Sequence, residues 1–499
     1  MSLKRNFSIG LLSSGWSGFL GLAVVPLYLK YLGIEAYGLI GFFATTQAVL
    51  TILDMGMAPT VNREVARYSA SGEISEAGKL LHTLAVVYWG MAVIIAVLIL
   101  ALAPWIADYW LQSRNLSPQT ISHAVMLMGL VVACRWPIGL YQGALIGAQH
   151  LTVSSSINMV MTTIGSLGAV IILAFVSPTI EAFFIWQACV GLVYAVTMRW
   201  GAWRIIGRIK ENRFDVERLK SIWRFSAGMS GIALSATVFS QLDKLILSKT
   251  LGLEEFGHYM LATVIAGGLY LLIMPMFNAI YPRLSALVAT GETEKLSEIY
   301  RWGTRLLAAV IFPIAMVLAA FSEDLLYMWT GNHDIALRVA PVVSILAIGS
   351  ALHGVMFFPY ALQLAYGITR LPLTINAMLM VILVPLTIFL SMKYGALGGA
   401  IAWLVLHVLY VLLGTWLTHR RLLKGVGMKW LLQDVLMPLG ISIMVGMIGI
   451  YAIHGLGLPS KMKLIYAAAL ALVAAALSFA VMPKALQNNL LYKTSLKIR

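Results

Sequence analysis

The run Leu80–Pro104, LLHTLAVVYWGMAVIIAVLILALAP, decides the fold class of this chain. Its 25 residues include no Lys, Arg, Asp or Glu. A helix needs about 20 apolar residues to cross the hydrocarbon core of a bilayer. The run is continuously apolar and lacks the alternation that is typical of a membrane-spanning strand. It therefore predicts a transmembrane α-helix.

Runs of this kind recur along the whole chain. The 499 residues are 60% apolar and only 11% charged, whereas soluble proteins are about 25% charged, so a water-soluble globular protein is excluded. The sequence predicts an all-α polytopic membrane protein with about 14 transmembrane helices. The predicted spans are 7–29, 37–58, 80–104, 121–146, 155–176, 180–200, 223–249, 256–281, 302–321, 336–358, 371–391, 396–418, 430–453 and 463–482.

The basic residues predict the topology. With the N-terminus in the cytoplasm, 26 of the 35 Lys and Arg residues fall in inside segments and seven fall in outside segments. Cytoplasmic loops of membrane proteins collect Lys and Arg. We therefore expect a bacterial inner-membrane protein with both termini cytoplasmic. The net charge of +15 is attributed to these loops, which face anionic membrane lipids, and no nucleic-acid partner is expected.

Two short motifs reveal an internal repeat. Residues 30–38 (KYLGIEAYG) match residues 249–257 (KTLGLEEFG) at an offset of 219. The same offset relates Ala70–Glu73 (ASGE) to Ala289–Glu292 (ATGE), and Ile157-Asn158 matches Ile375-Asn376 at an offset of 218. Each half has an even number of predicted spans, so the halves are expected to be parallel repeats, a form common among transporters that bind substrate between the halves.

The repeat and a basic cluster at 199–224 predict the domain organisation. Two six-helix bundles are expected at 1–205 and 223–420, joined by a basic cytoplasmic linker at 206–222. The segment 421–499 is predicted to add two transmembrane helices and a basic cytoplasmic tail.

The N-terminal sequence resembles a known family of transporters. The residues that carry the resemblance are Leu27–Leu39 (LYLKYLGIEAYGL), Asp54–Pro59 (DMGMAP) and Asn62–Arg67 (NREVAR), with Asp243–Gly257 as a second copy. They are similar to bacterial O-antigen and polysaccharide flippases, of the multidrug/oligosaccharidyl-lipid/polysaccharide exporter superfamily.

The resemblance implies a fold and a function. It implies a V-shaped pair of six-helix bundles that moves an undecaprenyl-diphosphate-linked glycan to the periplasmic leaflet by alternating access. No cofactor is expected, and H⁺ or Na⁺ is the expected coupling ion. Polysaccharide polymerase and chain-length proteins are the partners that such a role implies.

Arg135 is the clearest candidate for substrate binding. It lies in the predicted fourth span, where an ionisable group by default faces the bundle interior or a wet cavity. Guanidinium groups bind phosphate oxygens in bidentate fashion, so a diphosphate is a natural ligand. The alternative is a structural ion pair with Asp54 or Asp243.

His353 is the repeat equivalent of Arg135. The offset of 218 places it in the tenth predicted span. One hypothesis is that Arg135 and His353 lie at the same depth and flank the substrate in a central cavity. The alternative is that His353 is a neutral, hydrogen-bonded packing residue.

The seventh predicted span carries a polar stripe. Its members recur at steps of three, four and seven residues, which is one face of a helix: Ser226, Ser230, Thr237, Gln241, Lys244 and Ser248. The stripe predicts either a cavity lining, with Thr237, Gln241 and Lys244 as binding residues, or contacts between helices. Asp243 is predicted to point away from Lys244, as a buried pair or a coupling-ion site.

Three residues are candidates for gating or ion coupling near the cytoplasmic ends of spans. Asp54 precedes Pro59, and Arg63 follows it; Arg283 is the approximate counterpart of Arg63 in the second half. They are predicted either to anchor helix ends at the membrane surface or to capture a diphosphate at the entrance.

The sequence contains no nucleotide-binding loop and no recognisable metal-ligand spacing, so no enzyme is predicted. Two other functions remain as alternatives. One is a multidrug exporter of the same superfamily, and the other is a membrane-embedded glycan polymerase or transferase.

Overall fold

The computed structural model describes residues 3–207, 214–453 and 456–481. Throughout these ranges the chain is helical, apart from short turns and one isolated bridge between Gln112 and Gly252. Part of the predicted linker (208–213) and most of the predicted tail (482–499) lie outside the described residues. The chain divides into two compact units, Met1–Gly257 and His258–Arg499.

The first unit is built from long apolar helices and shorter connecting helices. They are α1 (Leu3–Leu50), α2 (Met57–Ser71), α3 (Ile74–Trp105), α4 (Pro118–Arg135), α5 (Ile138–Gly147), α6 (Leu151–Phe175), α7 (Ile180–Ile206) and α8 (Val216–Thr250), and α9 (Leu253–Gly267) begins in this unit. A 3₁₀ turn at Thr51–Asp54 follows α1, and a π-helical turn at Ile106–Trp110 follows α3. The first helix of the second repeat, α8, packs against α1, α2 and α3 within this unit.

In the described residues of the second unit there are nine further helices. They are α10 (Tyr270–Thr290), α11 (Thr293–Ala320), α12 (Ser322–Thr330), α13 (His333–Ala365), α14 (Arg370–Leu409), α15 (Thr415–Arg421), α16 (Gly427–Lys429), α17 (Met437–Ile453) and α18 (Ser460–Ala480). Two π-helical turns, Tyr410–Gly414 and Trp430–Leu436, join α14 to α15 and α16 to α17. The two C-terminal helices, α17 and α18, pack against α11.

Eleven helices in the described part of the chain are long and apolar enough to cross a membrane. Two of them, Leu12–Asp54 with 43 residues and Arg370–Arg421 with 52, are each long enough for two crossings of about 20 residues. Each contains a glycine outside the helical region of φ/ψ space, Gly33 or Gly395. The all-helical membrane fold is confirmed, and the exact count of 14 spans stays a prediction.

Two turns at equivalent positions of the internal repeat have the same backbone geometry. After α2 and after α10, a glycine (Gly72 or Gly291) ends the helix with a positive φ of 78° or 73°. In each turn the following N–H donates to the carbonyl five residues earlier, at 2.9 Å for Glu73 and 3.1 Å for Glu292. This is a Schellman end, which favours glycine at that position.

A second pair of turns follows the same rule with a different residue. At the offset of 218, Gln149 corresponds to Gly367, and both have positive φ, 61° and 69°. The next N–H again donates to the carbonyl five residues back, at 2.9 Å for His150 and 3.0 Å for Ile368. Gln149 therefore holds a backbone conformation that costs an L-residue about 1–2 kcal/mol.

The 30–38 and 249–257 motifs contact each other inside the first unit. A Cβ added to Gly38 would lie 2.5 Å from the carbonyl oxygen of Leu253. A Cβ added to Gly257 would collide with the carbonyl oxygen of Ile34. The repeat offset of 219 relates Ile34 to Leu253 and Gly38 to Gly257. Each glycine therefore lies against the backbone of the matching motif in the other repeat. Small residues allow such close helix contacts in membranes.

Candidate functional site

Arg135 is the last residue of α4, and Pro137 begins the turn into α5. Its Nη2 donates to Oε1 of Gln187 on α7 at 2.6 Å, and its guanidinium lies 5.7 Å from the ring centre of Phe43. Gly191, one turn after Gln187 on α7, leaves room for the arginine, since a Cβ there would lie 3.1 Å from Arg135 Cγ. The side chain is therefore fixed between α4 and α7 by a neutral amide.

The predicted alternative of an ion pair between Arg135 and Asp54 or Asp243 is wrong. Asp54 accepts hydrogen bonds from the Tyr88 hydroxyl and the Ala58 N–H, and Asp243 pairs with Lys244. Within the described ranges, no carboxylate forms a salt bridge with Arg135. Arg135 is partly buried, and removing a guanidinium from water without a counter-charge is costly unless other groups or a ligand compensate it.

Polar side chains from three helices surround this arginine. Tyr28 and Tyr194 both lie close enough to interact electrostatically with it. Tyr194 donates to Asn158 Oδ1 at 2.8 Å, and Asn158 Nδ2 donates to Ser13 Oγ at 3.1 Å. These bonds connect α1, α6 and α7 in a polar network inside the first unit.

His353 of α13 has a different environment. Its Nδ1 is bonded to the hydroxyl of Tyr270 at 2.5 Å. The ring centre of His407 lies 4.6 Å away, and the rings of Trp403 and Tyr410 lie at 6.3 Å and 6.1 Å. These contacts support the alternative of a hydrogen-bonded packing residue. The proposed position of His353 opposite Arg135, in one central cavity, stays a prediction.

Further aromatic residues continue from His353 along α10 and α13. The ring of Phe357 lies 5.3 Å from that of His353 and 5.6 Å from that of Phe277. Phe277 in turn stacks on Tyr281 and Tyr360, at 5.6 Å and 6.2 Å, with interplanar angles of 4° and 17°. All four of these rings are partly exposed. We call Phe277, Tyr281, Phe357 and Tyr360 the aromatic face of the second unit.

The polar stripe of α8 is partly paired within the helix. Lys244 Nζ lies 3.2 Å from Asp243 Oδ1 and donates to the Ser240 carbonyl at 2.8 Å, so the prediction that Asp243 points away from Lys244 is wrong. The flexible lysine chain turns back along its own helix, which sequence spacing does not reveal. Gln241 bonds the neighbouring Ser240 hydroxyl at 3.4 Å, and Thr237 is partly buried.

The lysine and aspartate charges offset each other, which weakens Lys244 as an anion-binding group. The side chains of Ser226 and Ser230, also in this stripe, lie outside the described residues.

Asp54 lies where the first long helix breaks. It ends the 3₁₀ turn, and the next two residues, Met55 and Gly56, have positive φ of 47° and 71°. Its Oδ1 accepts from the buried Tyr88 hydroxyl, and its Oδ2 accepts from the Ala58 N–H at 3.1 Å. The carboxylate thus caps α2 and ties it to α3. A partly buried carboxylate at a broken helix is chemically suited to bind a proton or a cation.

The two other gating candidates lie on the surface. Arg63 of α2 and Arg283 of α10 are both exposed. Their positions suit anchoring or capture at a membrane surface, and the choice between these roles stays open. Among the described residues, no group of three His, Cys, Asp or Glu side chains could hold a metal ion.

The partners of the candidate residues are not among the residues predicted from the sequence. Gln187 is visible in retrospect as a polar residue inside the apolar run 180–198 (IEAFFIWQACVGLVYAVTM). His407, two residues before the last residue of α14, lies with its ring centre 4.6 Å from that of His353. Tyr88 and Tyr270 gave no signal, because tyrosines are frequent in membrane helices.

Comparison with known sequences gives two family matches. The family described as "Polysaccharide biosynthesis protein" matches residues 3–288, and the family described as "MatE" matches residues 230–389. A Shigella flexneri protein described as "Putative O-antigen transporter" is 21% identical over 424 residues, which are 84% of this chain and 98% of the relative. The membrane protein EpsK of Bacillus subtilis (strain 168), described as uncharacterized, is 23% identical over 437 residues. The matched residues are 82% of this chain and 82% of EpsK.

Solved structures share the fold. The lipid II flippase MurJ, in an inward closed conformation, superposes with a TM-score of 0.69 at 12% identity, covering 94% of this chain and 98% of MurJ. An inward-facing multidrug resistance MATE family transporter of the MOP superfamily gives 0.64 at 13% identity, covering 81% and 95% of the two chains. At these identities the likeness establishes the fold alone.

Proposed function

This chain belongs to the polysaccharide biosynthesis protein family, and on that premise we propose that it flips a lipid-linked oligosaccharide with an anionic diphosphate headgroup. The family match confirms the resemblance seen in the sequence. The chain is a multi-pass membrane transporter and not an enzyme. The proposed cargo is an undecaprenyl-diphosphate-linked repeat unit, such as an O-antigen unit, carried from the cytoplasmic to the periplasmic leaflet of the inner membrane.

The observation that carries this proposal is the environment of Arg135. Its guanidinium is held inside the first unit by a neutral partner, Gln187, at 2.6 Å. A diphosphate would supply the missing negative charge, and its oxygens suit the forked donors of an arginine. The polar network around Asn158 and Tyr194 would offer hydrogen bonds to sugar hydroxyls.

The second unit would contribute differently. The aromatic face, Phe277, Tyr281, Phe357 and Tyr360, offers flat apolar rings that suit the apolar faces of sugars. His353 would support these rings through its contacts with Phe357 and Tyr270. We therefore assign charge recognition to the first unit and packing against the glycan to the second.

Transport is proposed to follow alternating access with H⁺ or Na⁺ coupling. Asp54 is our first candidate for the coupling site, because its carboxylate sits at a break between helices and bonds a tyrosine hydroxyl. Both chain termini are proposed to lie in the cytoplasm. Polymerase and chain-length proteins are proposed partners, since they would act on the flipped unit.

Complementation tests the proposal. The wild type, Arg135→Ala and Arg135→Lys are each expressed in a strain that lacks its own O-unit flippase. The strain is one whose glycan the wild-type chain can carry. Surface polysaccharide is compared at equal protein levels. We expect loss of display with alanine and partial display with lysine, which keeps the charge but not the fork. Arg67→Ala is the control, since Arg67 is exposed and pairs with Glu64 at 2.8 Å. Full display by Arg135→Ala would contradict the proposal.

A multidrug exporter is the second candidate, because the MatE family also matches. Such an exporter would be expected to bind cationic drugs through free acidic groups. In the described part of the membrane helices, the carboxylates of Asp54 and Asp243 are already bonded by protein groups. Drug-resistance assays of the same strains separate the two functions: raised resistance without glycan display would favour the exporter.

A further inference from the structure

A cavity of about 220 Å³ lies among α11, α17 and α18 of the second unit. Water in the liquid occupies about 30 Å³ per molecule, so the cavity has room for a group much larger than a single water. Its polar lining consists of Arg305, Gln433 and Ser478. Its apolar lining consists of Met437, Pro438, Ile441 and Val481.

An ion cluster builds one wall of this cavity. Asp434, which is 0% exposed, accepts hydrogen bonds from Nε of Arg301 at 2.7 Å and from Nε of Arg305. The amide oxygen of Gln433 accepts from Nη2 of both arginines, at 2.8 Å and 3.2 Å. Two guanidinium groups therefore share one carboxylate, and the cluster keeps one positive charge in excess.

The polar groups of the cavity lining that make no hydrogen bond within the described residues are hydrogen-bond donors. Arg305 uses Nε and Nη2 within the protein, which leaves the two N–H groups of Nη1. Gln433 uses its oxygen, which leaves its NH₂ group. Ser478 is 4% exposed, and its hydroxyl has no hydrogen-bond partner among the described residues. Several other buried polar side chains in the described residues share this condition, but Ser478 is the one of them that lines this cavity, where a ligand could accept from its hydroxyl.

The position of the cavity identifies the class of ligand. It lies where α17 begins (Met437) and α18 ends (Ala480), and the chain that leads to it through α15 and α16 contains Arg420, Arg421, Lys424 and Lys429. This basic segment is predicted to face the cytoplasmic leaflet, which is rich in anionic lipids. Polar donors and apolar side chains in one cavity suit a molecule with a phosphate at one end and acyl carbon at the other.

We propose that the cavity formed by Arg305, Gln433 and Ser478 binds the phosphate headgroup of an anionic membrane phospholipid. The lipid neutralises the excess charge of the cluster, and its acyl chain packs along Met437, Pro438 and Ile441. Bound there, it joins the C-terminal helix pair to α11. This site is separate from Arg135 and takes no part in glycan recognition.

Lipid titration of the purified full-length chain tests the site. The protein is delipidated in mild detergent, and binding is measured by native mass spectrometry together with the rise in thermal unfolding temperature. The probes are phosphatidylglycerol, phosphatidylethanolamine, undecaprenyl phosphate and inorganic phosphate. We expect phosphatidylglycerol to bind at least tenfold more tightly than phosphatidylethanolamine, and to stabilise the protein where inorganic phosphate does not.

Two variants locate the binding to this cavity. Gln433→Glu keeps the oxygen that accepts from the arginines, but it replaces the NH₂ donor by a negative oxygen; we expect phosphatidylglycerol affinity to fall about tenfold or more. Ser478→Ala removes one donor, and we expect a loss of about threefold to tenfold. Ser442→Ala is the matched control, because Ser442 is a buried serine of α17 whose hydroxyl already bonds the Pro438 carbonyl at 2.8 Å.

The outcomes separate the possible ligands. Wild-type affinity for phosphatidylglycerol in both cavity variants would overturn the proposal, as would equal binding of phosphatidylethanolamine. Preference for undecaprenyl phosphate would overturn the assignment to a phospholipid. The measurements contain no glycan, so their failure would leave the transport proposal standing, and a transport failure would leave the lipid site standing.

Discussion

Arg135 and His353 occupy equivalent positions in the two repeats, yet they have opposite surroundings. Arg135 bonds an amide on α7, and Tyr28, Tyr194 and Asn158 extend a polar network around it. His353 bonds one tyrosine and otherwise packs against aromatic rings. The turns that precede and follow these residues in sequence have the same backbone geometry in both repeats: Gly72 matches Gly291, and Gln149 matches Gly367. One scaffold therefore carries two chemistries, charge in the first unit and aromatic packing in the second.

The aromatic packing around His353 is expected to give the largest effect. Trp403→Ala would remove a nearly buried ring that lies 6.3 Å from His353 and 4.3 Å from His407. Truncation of a buried tryptophan costs about 3–5 kcal/mol of unfolding free energy. Denaturant titration in mixed micelles measures the change. Trp416→Ala is the control, because Trp416 is 56% exposed. Equal losses in the two variants would show that the ring cluster is not a packing core.

Arg135 is expected to affect transport more than stability. Arg135→Gln removes the charge but leaves an amide that can bond Gln187. Losing a charge-assisted hydrogen bond to the cargo costs about 1.5–3 kcal/mol, or about tenfold to 100-fold in transport rate. Unfolding free energy should stay level or rise, since the variant removes a partly buried charge that has no counter-ion among the described residues. Flipping of a labelled lipid-linked glycan in proteoliposomes, beside denaturant titration, measures both. A joint fall of rate and stability would indicate a structural arginine.

The equivalent turns at Gln149 and Gly367 test whether the scaffold is shared. Gly367→Ala should cost about 1 kcal/mol of unfolding free energy, because φ is 69° there. Gln149→Gly should gain less than that, since it relieves the same strain but loses the contacts of the glutamine. Gly90→Ala is the control: Gly90 is helical, and a Cβ there meets nothing within 4 Å. Denaturant titration again measures the effects, and a gain from Gly367→Ala would contradict the equivalence.

Sequence reasoning predicted the parts of the fold that local chemistry determines. The apolar runs predicted the membrane helices, and the ASGE and ATGE motifs predicted an internal repeat. The structure shows the two motifs as equivalent Schellman ends, which depend on a few adjacent residues. The offset of 218 then relates His353 to Arg135 by sequence position alone. None of this needed contacts between distant segments.

The partners of the candidate residues could not be predicted in the same way. Gln187 lies 52 residues from Arg135, and each residue turns a helix by about 100°, so a small error in a span boundary changes which residue faces the arginine. Lys244 reaches Asp243 because its long side chain bends, which no periodicity encodes. The cluster of Arg301, Arg305 and Asp434 joins segments about 130 residues apart.

The smallest expected effect on transport concerns the hydrogen bond between Tyr270 and His353. Tyr270→Phe removes the hydroxyl that bonds His353 Nδ1 but keeps the ring contacts with His353 and Phe357. A net hydrogen bond is worth about 1 kcal/mol, so stability should fall by about that amount. If the second unit recognises the glycan through ring packing, transport should stay within about twofold of the wild type, whereas Arg135→Gln loses at least tenfold. The proteoliposome assay measures both variants side by side. A tenfold transport loss in Tyr270→Phe would mean that the Tyr270–His353 pair acts on the cargo or on a coupling proton, and the division of chemistry between the two units would then have to be redrawn.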